Sequence, residues 1–334
     1  MRVVDLSGYM FSGKTAVGDI LREIEGFLVP HYLEEFDLLR MPGGLIDLKH
    51  AVLDWSPIRT RAAVIRFDKL IGKIALSPNF PQKLYTNGFG YAKRYPNILA
   101  LKDLFLSEIK KIEWITPWPY DDIDDSSLET FRRKLALKFG IKKNRDYFLV
   151  DKDKFIPAAQ KFVHALLAES FSNNHDNKSI YVTQNALEPF SPQNNLILLG
   201  DNALSITVSR DPRDIYASAI SRQPGFNDNV EMYKRISGAH DVDVFINRYK
   251  LYLKNIQNSP AKVLRIEFKE LILNYDFELD RIYTFLNINP DKHNNKFKYF
   301  DPKISINNLD IWRKPEFEQH AANFEKIHLA CLDG

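Results

Sequence analysis

The stretch Gly8-Tyr9-Met10-Phe11-Ser12-Gly13-Lys14-Thr15 constrains this chain more than any other. It follows an apolar run, Val3-Val4-Asp5-Leu6, and precedes Ala16-Val17-Gly18-Asp19-Ile20-Leu21, which reads as an amphipathic helix. The spacing is that of a phosphate-binding loop, G-x-x-x-x-G-K-[ST], set between a strand and a helix N-terminus. Glycines let backbone N–H groups turn inward on an anion, and the helix dipole adds partial positive charge at the same place. Ser12 and Gly13 shape the turn. Lys14 brings a full charge to a terminal phosphoryl or sulfuryl oxygen, and Thr15 brings a hydroxyl.

Composition narrows the class. With 334 residues and 45% hydrophobic content the chain can bury a sizeable core. Its 46 basic and 43 acidic side chains leave a net charge of +3, too small to argue for nucleic acid or a membrane surface. Cys331 is the sole cysteine, which excludes an internal disulfide or a cysteine metal site and fits a reducing compartment. No apolar run approaches the ~18 residues of a membrane span. The first strand begins at Arg2, leaving no room for a signal peptide, so a cytoplasmic location is expected. The histidines show no metal-ligand spacing, and Asp121, Asp122, Asp124 and Asp125 read as a charged loop, so no metal is expected.

Along the chain, Gly26 to Pro30 reads as a second strand and is followed by the acidic stretch Glu34-Glu35-Phe36-Asp37. Ser56 to Leu76 is helical, with Ala62, Ile65, Leu70 and Ile74 toward a core and Arg59, Arg61 and Arg66 toward water. Helices are expected at 97–112, 128–139 and 157–171, the last with Pro157 in its first turn. Loops rich in aromatic residues lie between them, from Phe80 to Tyr95 and from Trp114 to Tyr120. Strands follow at 179–183, 204–208 and 262–268, and helices at 241–257, 275–287 and 316–331. Strands alternating with helices predict a three-layer α/β fold with a mostly parallel sheet, helices on both faces and a large helical insertion. The expectation is one domain spanning 1–334, with the insertion at about 56–171 forming the acceptor-binding region.

A second constellation, Arg210-Asp211-Pro212-Arg213-Asp214 with Ser218 eight residues after Arg210, sits at a strand-to-helix junction. A phosphate beside that helix could take a forked guanidinium and a hydroxyl together. A helix start in which Asp211 and Asp214 pair with Arg210 and Arg213 explains the same residues. The run Ser205 to Asp214 with Ser218 resembles the second signature of the sulfotransferases that use 3′-phosphoadenosine 5′-phosphosulfate (PAPS). Three further segments agree in order: Val263 to Leu271, Leu279 to Ile288, and Asn307 to Lys314 with Trp312. The resemblance implies that Arg210 and Ser218 hold the donor's 3′-phosphate, with Arg313 and Lys314 closing over it. It implies PAPS as cofactor, adenosine 3′,5′-bisphosphate as product, and a small-molecule or glycan acceptor. The first loop departs from the family pattern: Phe11 stands where a basic residue is common, and Lys14 makes the loop kinase-like.

Sulfuryl transfer needs charge stabilisation on the leaving phosphate, given to the loop amides of 12–15 with Lys14 and Thr15, and a base for the acceptor hydroxyl. Thr183-Gln184-Asn185-Ala186 follows the middle strand without a histidine, so Glu35 is the expected base, with Glu34 as rival. A P-loop kinase or NTPase using ATP remains open. It would want magnesium and an acidic residue ending an apolar strand, which Leu196 to Asp201 offers. A nucleotide-binding module without activity is the third reading.

Overall fold

The structure is a computed structural model and describes residues 1–31, 34–54, 56–77, 89–116, 126–140, 145–171, 179–187, 189, 191–221, 230–256 and 261–332. The chain opens with β1 (Arg2–Gly8), α1 (Lys14–Glu23) and β2 (Phe27–Leu28). A largely helical stretch follows: α2 (Leu45–Leu53), α3 (Pro57–Ala75), α4 (Tyr91–Arg94), α5 (Ile98–Ile109), β3 (Lys110–Thr116), α6 (Ser127–Lys138), β4 (Arg145–Val150) and α7 (Lys152–Ser170). The alternation then resumes with β5 (Ile180–Gln184), β6 (Leu204–Ser209), α8 (Pro212–Ile220), α9 (Val230–Ser237), α10 (Val242–Ile256) and β7 (Val263–Glu267). It closes with α11 (Phe268–Leu273), α12 (Tyr275–Leu286), α13 (Pro302–Ser305) and α14 (Ala321–Cys331). Two compact units result, one from residues 1–40 and 171–334, the other from 41–170.

The first unit holds a five-stranded sheet in the order β2-β5-β1-β6-β7, with every pair parallel. β1 is central, and its register sets Asp5 beside Thr183 on one side and Ser205 on the other. The period of two puts Val4, Leu6, Val182, Ile206 and Val208 on one face, where α1, α11 and α12 cover them. A second cluster gathers α8, α10 and α14 around Tyr9, with Tyr216, Phe245, Tyr249 and Phe324 in ring contact. This is the three-layer, parallel α/β arrangement the strand–helix alternation predicts. The last predicted helix differs, since Pro315–His320 winds as a 3₁₀ helix before α14 begins.

The helical unit packs α3, α5 and α7 around Phe67, Phe105, Phe155 and Phe162, with Phe105 and Phe162 stacked at 5.4 Å. Its buried stripe on α3 is Thr60, Arg61, Val64, Phe67, Ile71 and Ile74. That face is turned from the expected one: Ile74 is shared, whereas Ala62, Ile65 and Leu70 are only half-buried. Arg61 lies inward because its guanidinium covers the Tyr147 ring at 5.5 Å, which offsets the cost of burying the charge. α7 starts at Lys152, so Pro157 lies inside the helix and not in its first turn. The pair β3–β4 is antiparallel, with Trp114 opposite Tyr147, where the sequence reads the end of a helix and a loop. The partner strand lies about 30 residues downstream of β3, a distance at which local patterning carries no pairing signal. Most of the aromatic loop from Phe80 and all of Pro117 to Asp125 lie outside the described residues.

Candidate active site

β1 delivers Gly8 to the loop with its backbone pressed against Ser12. A Cβ on Gly8 would sit 2.2 Å from Ser12 Oγ. Gly13 has φ +88, and a Cβ there would strike the Phe268 ring at 2.5 Å. Both positions therefore need glycine. Phe11 also has φ +62, unusual for an aromatic residue. The loop is closed by the Ser12 N–H donating to the Tyr9 carbonyl at 3.0 Å. Ser12 is 1% exposed, and its hydroxyl finds no hydrogen-bond partner among the described residues. A buried hydroxyl without a partner at a helix N-terminus is a donor set for an anion. Thr15 faces solvent on the first turn of α1.

Lys14 and Glu35 meet directly, Nζ to Oε1 at 3.3 Å. Glu35 takes two more donors: Arg40 Nη2 at 2.5 Å on Oε2 and Asn185 Nδ2 at 2.5 Å on Oε1. Its segment is clipped to the sheet where the Phe36 N–H donates to the Gln184 carbonyl at 3.0 Å. Arg40 also binds Asp37 at 2.5 Å. Burial pushes the Asp37 carboxyl above its ordinary range, with Arg40 opposing. Glu34 is exposed.

Asp5 builds the floor. It is fully buried and accepts from Ser7 Oγ at 2.5 Å, Thr183 Oγ1 at 2.7 Å and the Ala186 N–H at 2.9 Å. Burial still raises its pKa, against those donors. The bond to Ala186 shapes the exit of β5, where Asn185 takes φ +48 and points its amide at Glu35.

Arg210 leaves the end of β6 and bridges three segments. Nη1 donates to the Phe11 carbonyl of the loop at 3.1 Å and reaches Ser218 Oγ at 3.3 Å; Nη2 donates to the Asn308 carbonyl at 2.5 Å. Its guanidinium covers the Phe268 ring at 5.2 Å, the ring that backs Gly13. Asp214 lies 3.7 Å from Nε and accepts the Asp310 N–H at 3.1 Å. Burial lowers the Arg210 pKa and pushes Asp214 up to about 6, although each ion favours the other. Arg213 instead chelates Asp211, whose side chain caps α8. The salt-bridged helix start is thus present, and Arg210 reaches the loop as well. Arg313 and Lys314 are exposed; Arg313 lies 4.8 Å over Trp312, a ring that also carries Arg213 at 4.3 Å.

The structure therefore brings Lys14 to Glu35, and Arg210 to Ser218 and the loop. Glu34, Arg313 and Lys314 are exposed. Sequence reasoning passed over Asn185, Arg40 and Asp5. Asn185 was visible as the polar residue ending a strand beside β1, where open parallel sheets place ligand contacts. Leu196–Leu199 is a 3₁₀ helix, not a strand, so Asp201 does not end a strand as a kinase magnesium ligand would. Among the described residues no group of three or more His, Cys, Asp or Glu is placed to hold a metal ion.

Neither a protein-family model nor a curated protein matches the sequence. Several solved structures are similar to it, and those described are sulfotransferases. The sulfotransferase domain of the Synechococcus PCC 7002 olefin synthase is 13% identical with a TM-score of 0.40, the match covering 100% of this chain and 89% of that one. The sulfotransferase domain from the curacin biosynthetic pathway is 12% identical with a TM-score of 0.38, covering 98% and 96%. Sulfotransferase STF9 from Mycobacterium avium is 10% identical with a TM-score of 0.38, covering 99% and 76%.

Proposed function

We propose that this chain is a sulfotransferase that moves a sulfuryl group from PAPS to a hydroxyl of a small-molecule or glycan acceptor. One observation carries the reading. Arg210 touches the carbonyl of Phe11 and the hydroxyl of Ser218 with one nitrogen, so the residues we assign to a 3′-phosphate adjoin the loop we assign to the 5′ side. A nucleotide with phosphates at both ends would use both groups, whereas ATP offers nothing for the Arg210 end.

The residues fit the donor chemically. Ser12 Oγ, the N–H groups at the start of α1 and Lys14 would hold the 5′ side; Arg210 and Ser218 would hold the 3′-phosphate, with Arg313 and Lys314 closing over it. When bound, the donor supplies the sulfuryl group and its leaving phosphate. Lys14 serves that phosphate by giving up Glu35, a half-exposed partner that solvent can replace. Glu35, still oriented by Arg40 and Asn185, would accept the proton of the acceptor hydroxyl. We assign acceptor recognition to the helical unit, and the protein to the cytoplasm on its single Cys331.

Thermal shift tests the donor. Adenosine 3′,5′-bisphosphate without magnesium should raise Tm by mass action, and the rise should vanish in Arg210→Lys. Stabilisation by ATP only with magnesium, and none by the bisphosphate, would replace this reading with a phosphoryl-transfer enzyme, which the Gly13-Lys14-Thr15 sequence favours. Radiolabelled sulfate transfer across sugar, lipid and phenol acceptors identifies the acceptor class.

A further inference from the structure

The segment between α12 and the Arg210 contact at Asn308 is shaped by a carboxylate the proposed chemistry does not use. Glu23, at the end of α1, is fully buried. It accepts the N–H groups of Phe297 at 3.2 Å, Tyr299 at 2.6 Å and Phe300 at 2.8 Å, and it meets His293 Nε2 at 2.9 Å. The loop is thus held from inside by a buried polar group with its hydrogen bonds satisfied, an expensive support if the loop were mere connection. What it presents is apolar. Phe297 stands 51% exposed with φ +68, a backbone region that strains a bulky side chain, and Tyr299 is 47% exposed. On the next turn Ile304 is 69% and Ile306 49% exposed. Both rings of this loop meet Tyr275, Phe297 at 5.5 Å and Phe300 at 5.9 Å, but Phe300 is buried while half of Phe297 stays in solvent.

Charge frames these side chains. Lys296 Nζ lies 5.3 Å from the Phe297 ring, and Lys298 Nζ lies 5.2 Å from the Tyr299 ring, which Arg22 also covers at 5.6 Å. Lys296 is paired with Asp276 at 2.9 Å, while Lys298 and Lys303 share residues 296–306 with one acid, Asp301, which caps α13. Aromatic and aliphatic prongs rimmed by ammonium groups match a lipid interface, where rings sit at headgroup depth and lysines reach anionic headgroups. We propose that residues 296–306 dock this protein on an anionic lipid bilayer. Two branched aliphatic side chains beside the rings favour lipid over an acidic protein surface, which would be met by the lysines alone. The cytoplasmic leaflet carries the required negative charge. The docked segment continues directly into Asn308, whose carbonyl takes Arg210, so the bilayer would lie against the donor-binding end of the molecule.

The test is co-sedimentation of the full chain with phosphatidylcholine vesicles, with and without a minority of phosphatidylserine. Binding is expected only with phosphatidylserine and should fall as salt rises. Lys298→Glu with Lys303→Glu should weaken it at least about tenfold, given a factor of roughly five for each lysine lost near such a surface. Phe297→Asn with Tyr299→Ser should weaken it comparably, since asparagine keeps the left-handed backbone while removing the ring. Unchanged circular dichroism and Tm in both variants separate docking from misfolding. No binding to anionic vesicles overturns the proposal, as does binding that survives both variants. Retention on poly-glutamate without vesicle binding reassigns the patch to an acidic protein.

Discussion

Two ion pairs flank the phosphate loop, and they differ in kind. Lys14 and Glu35 keep 18% and 30% of their side-chain surface, and Glu35 has Arg40 and Asn185 in reserve. Arg210 and Asp214 keep 9% and 3%, and each is bonded to backbone of a different segment. The first pair can exchange partners at little cost, because water and spare donors compensate it. The second cannot, because removing either ion strands the other in a low-dielectric setting. One pair is free to exchange its partners; the other is fixed and ties the loop to β6 and the C-terminal segment.

Substitutions can break this contrast, and the largest effect belongs to the buried pair. Arg210→Ala should lower stability by about 3–5 kcal/mol, because Asp214 is left buried and unpaired. Denaturant unfolding measures it, and a loss below about 1 kcal/mol would put Arg210 in the exchangeable class. Lys14→Ala should leave Tm nearly unchanged while cutting turnover roughly 10²–10³-fold, as the loss of a donor to a developing anion does. A large fall in Tm there would erase the distinction from the other side.

The third test is pH. Burial puts the folded-state pKa of Asp214 at about 6, above its ordinary 3.8. The folded state then holds the proton more tightly, so this group's contribution to stability is full below about pH 4 and is lost as pH rises through about 6. Asp214→Asn removes that dependence. Relative to the unmutated protein it should gain up to about 3 kcal/mol between those limits, read from Tm against pH. A parallel pair of pH profiles would show that Asp214 ionises freely. Smaller still, Glu35→Gln should lower turnover about 10²-fold while leaving adenosine 3′,5′-bisphosphate affinity within about twofold. Asn185→Ala should cost roughly tenfold through misorientation of Glu35, with the loss concentrated in kcat. Full activity in Glu35→Gln would leave Glu35 as a counter-ion of Lys14 alone.

The difference between the ends also explains what could be read early. The turn at Gly8 and Gly13 was legible because a strand–loop–helix segment of this spacing is continuous and its spacing is its geometry. Arg210 with Ser218 was legible for the same reason, being two turns of one helix start. The partners of Asn185 and Asp5 were not, because Glu35, Thr183 and Ala186 lie 150 or more residues away from them; Arg40 is only five residues from Glu35, and the turn that brings it back carries no periodic signal. The buried stripe of α3 differs from the expected one because a cation sits in it, over the ring of Tyr147 from a distant strand.

What the linear chain determined by itself was the alternation of strands and helices that builds the five-stranded parallel sheet, and the two segments proposed to face phosphate. Those follow from periodicity, glycine placement and charge within a few residues of one another. The tertiary structure alone decided that Arg210 reaches the Phe11 carbonyl, that Glu35 has three donors, and that Glu23 holds Phe297 out toward solvent. Each of these depends on a buried polar group finding its partner from a remote part of the chain, and burial is a property of the folded packing rather than of any stretch of sequence.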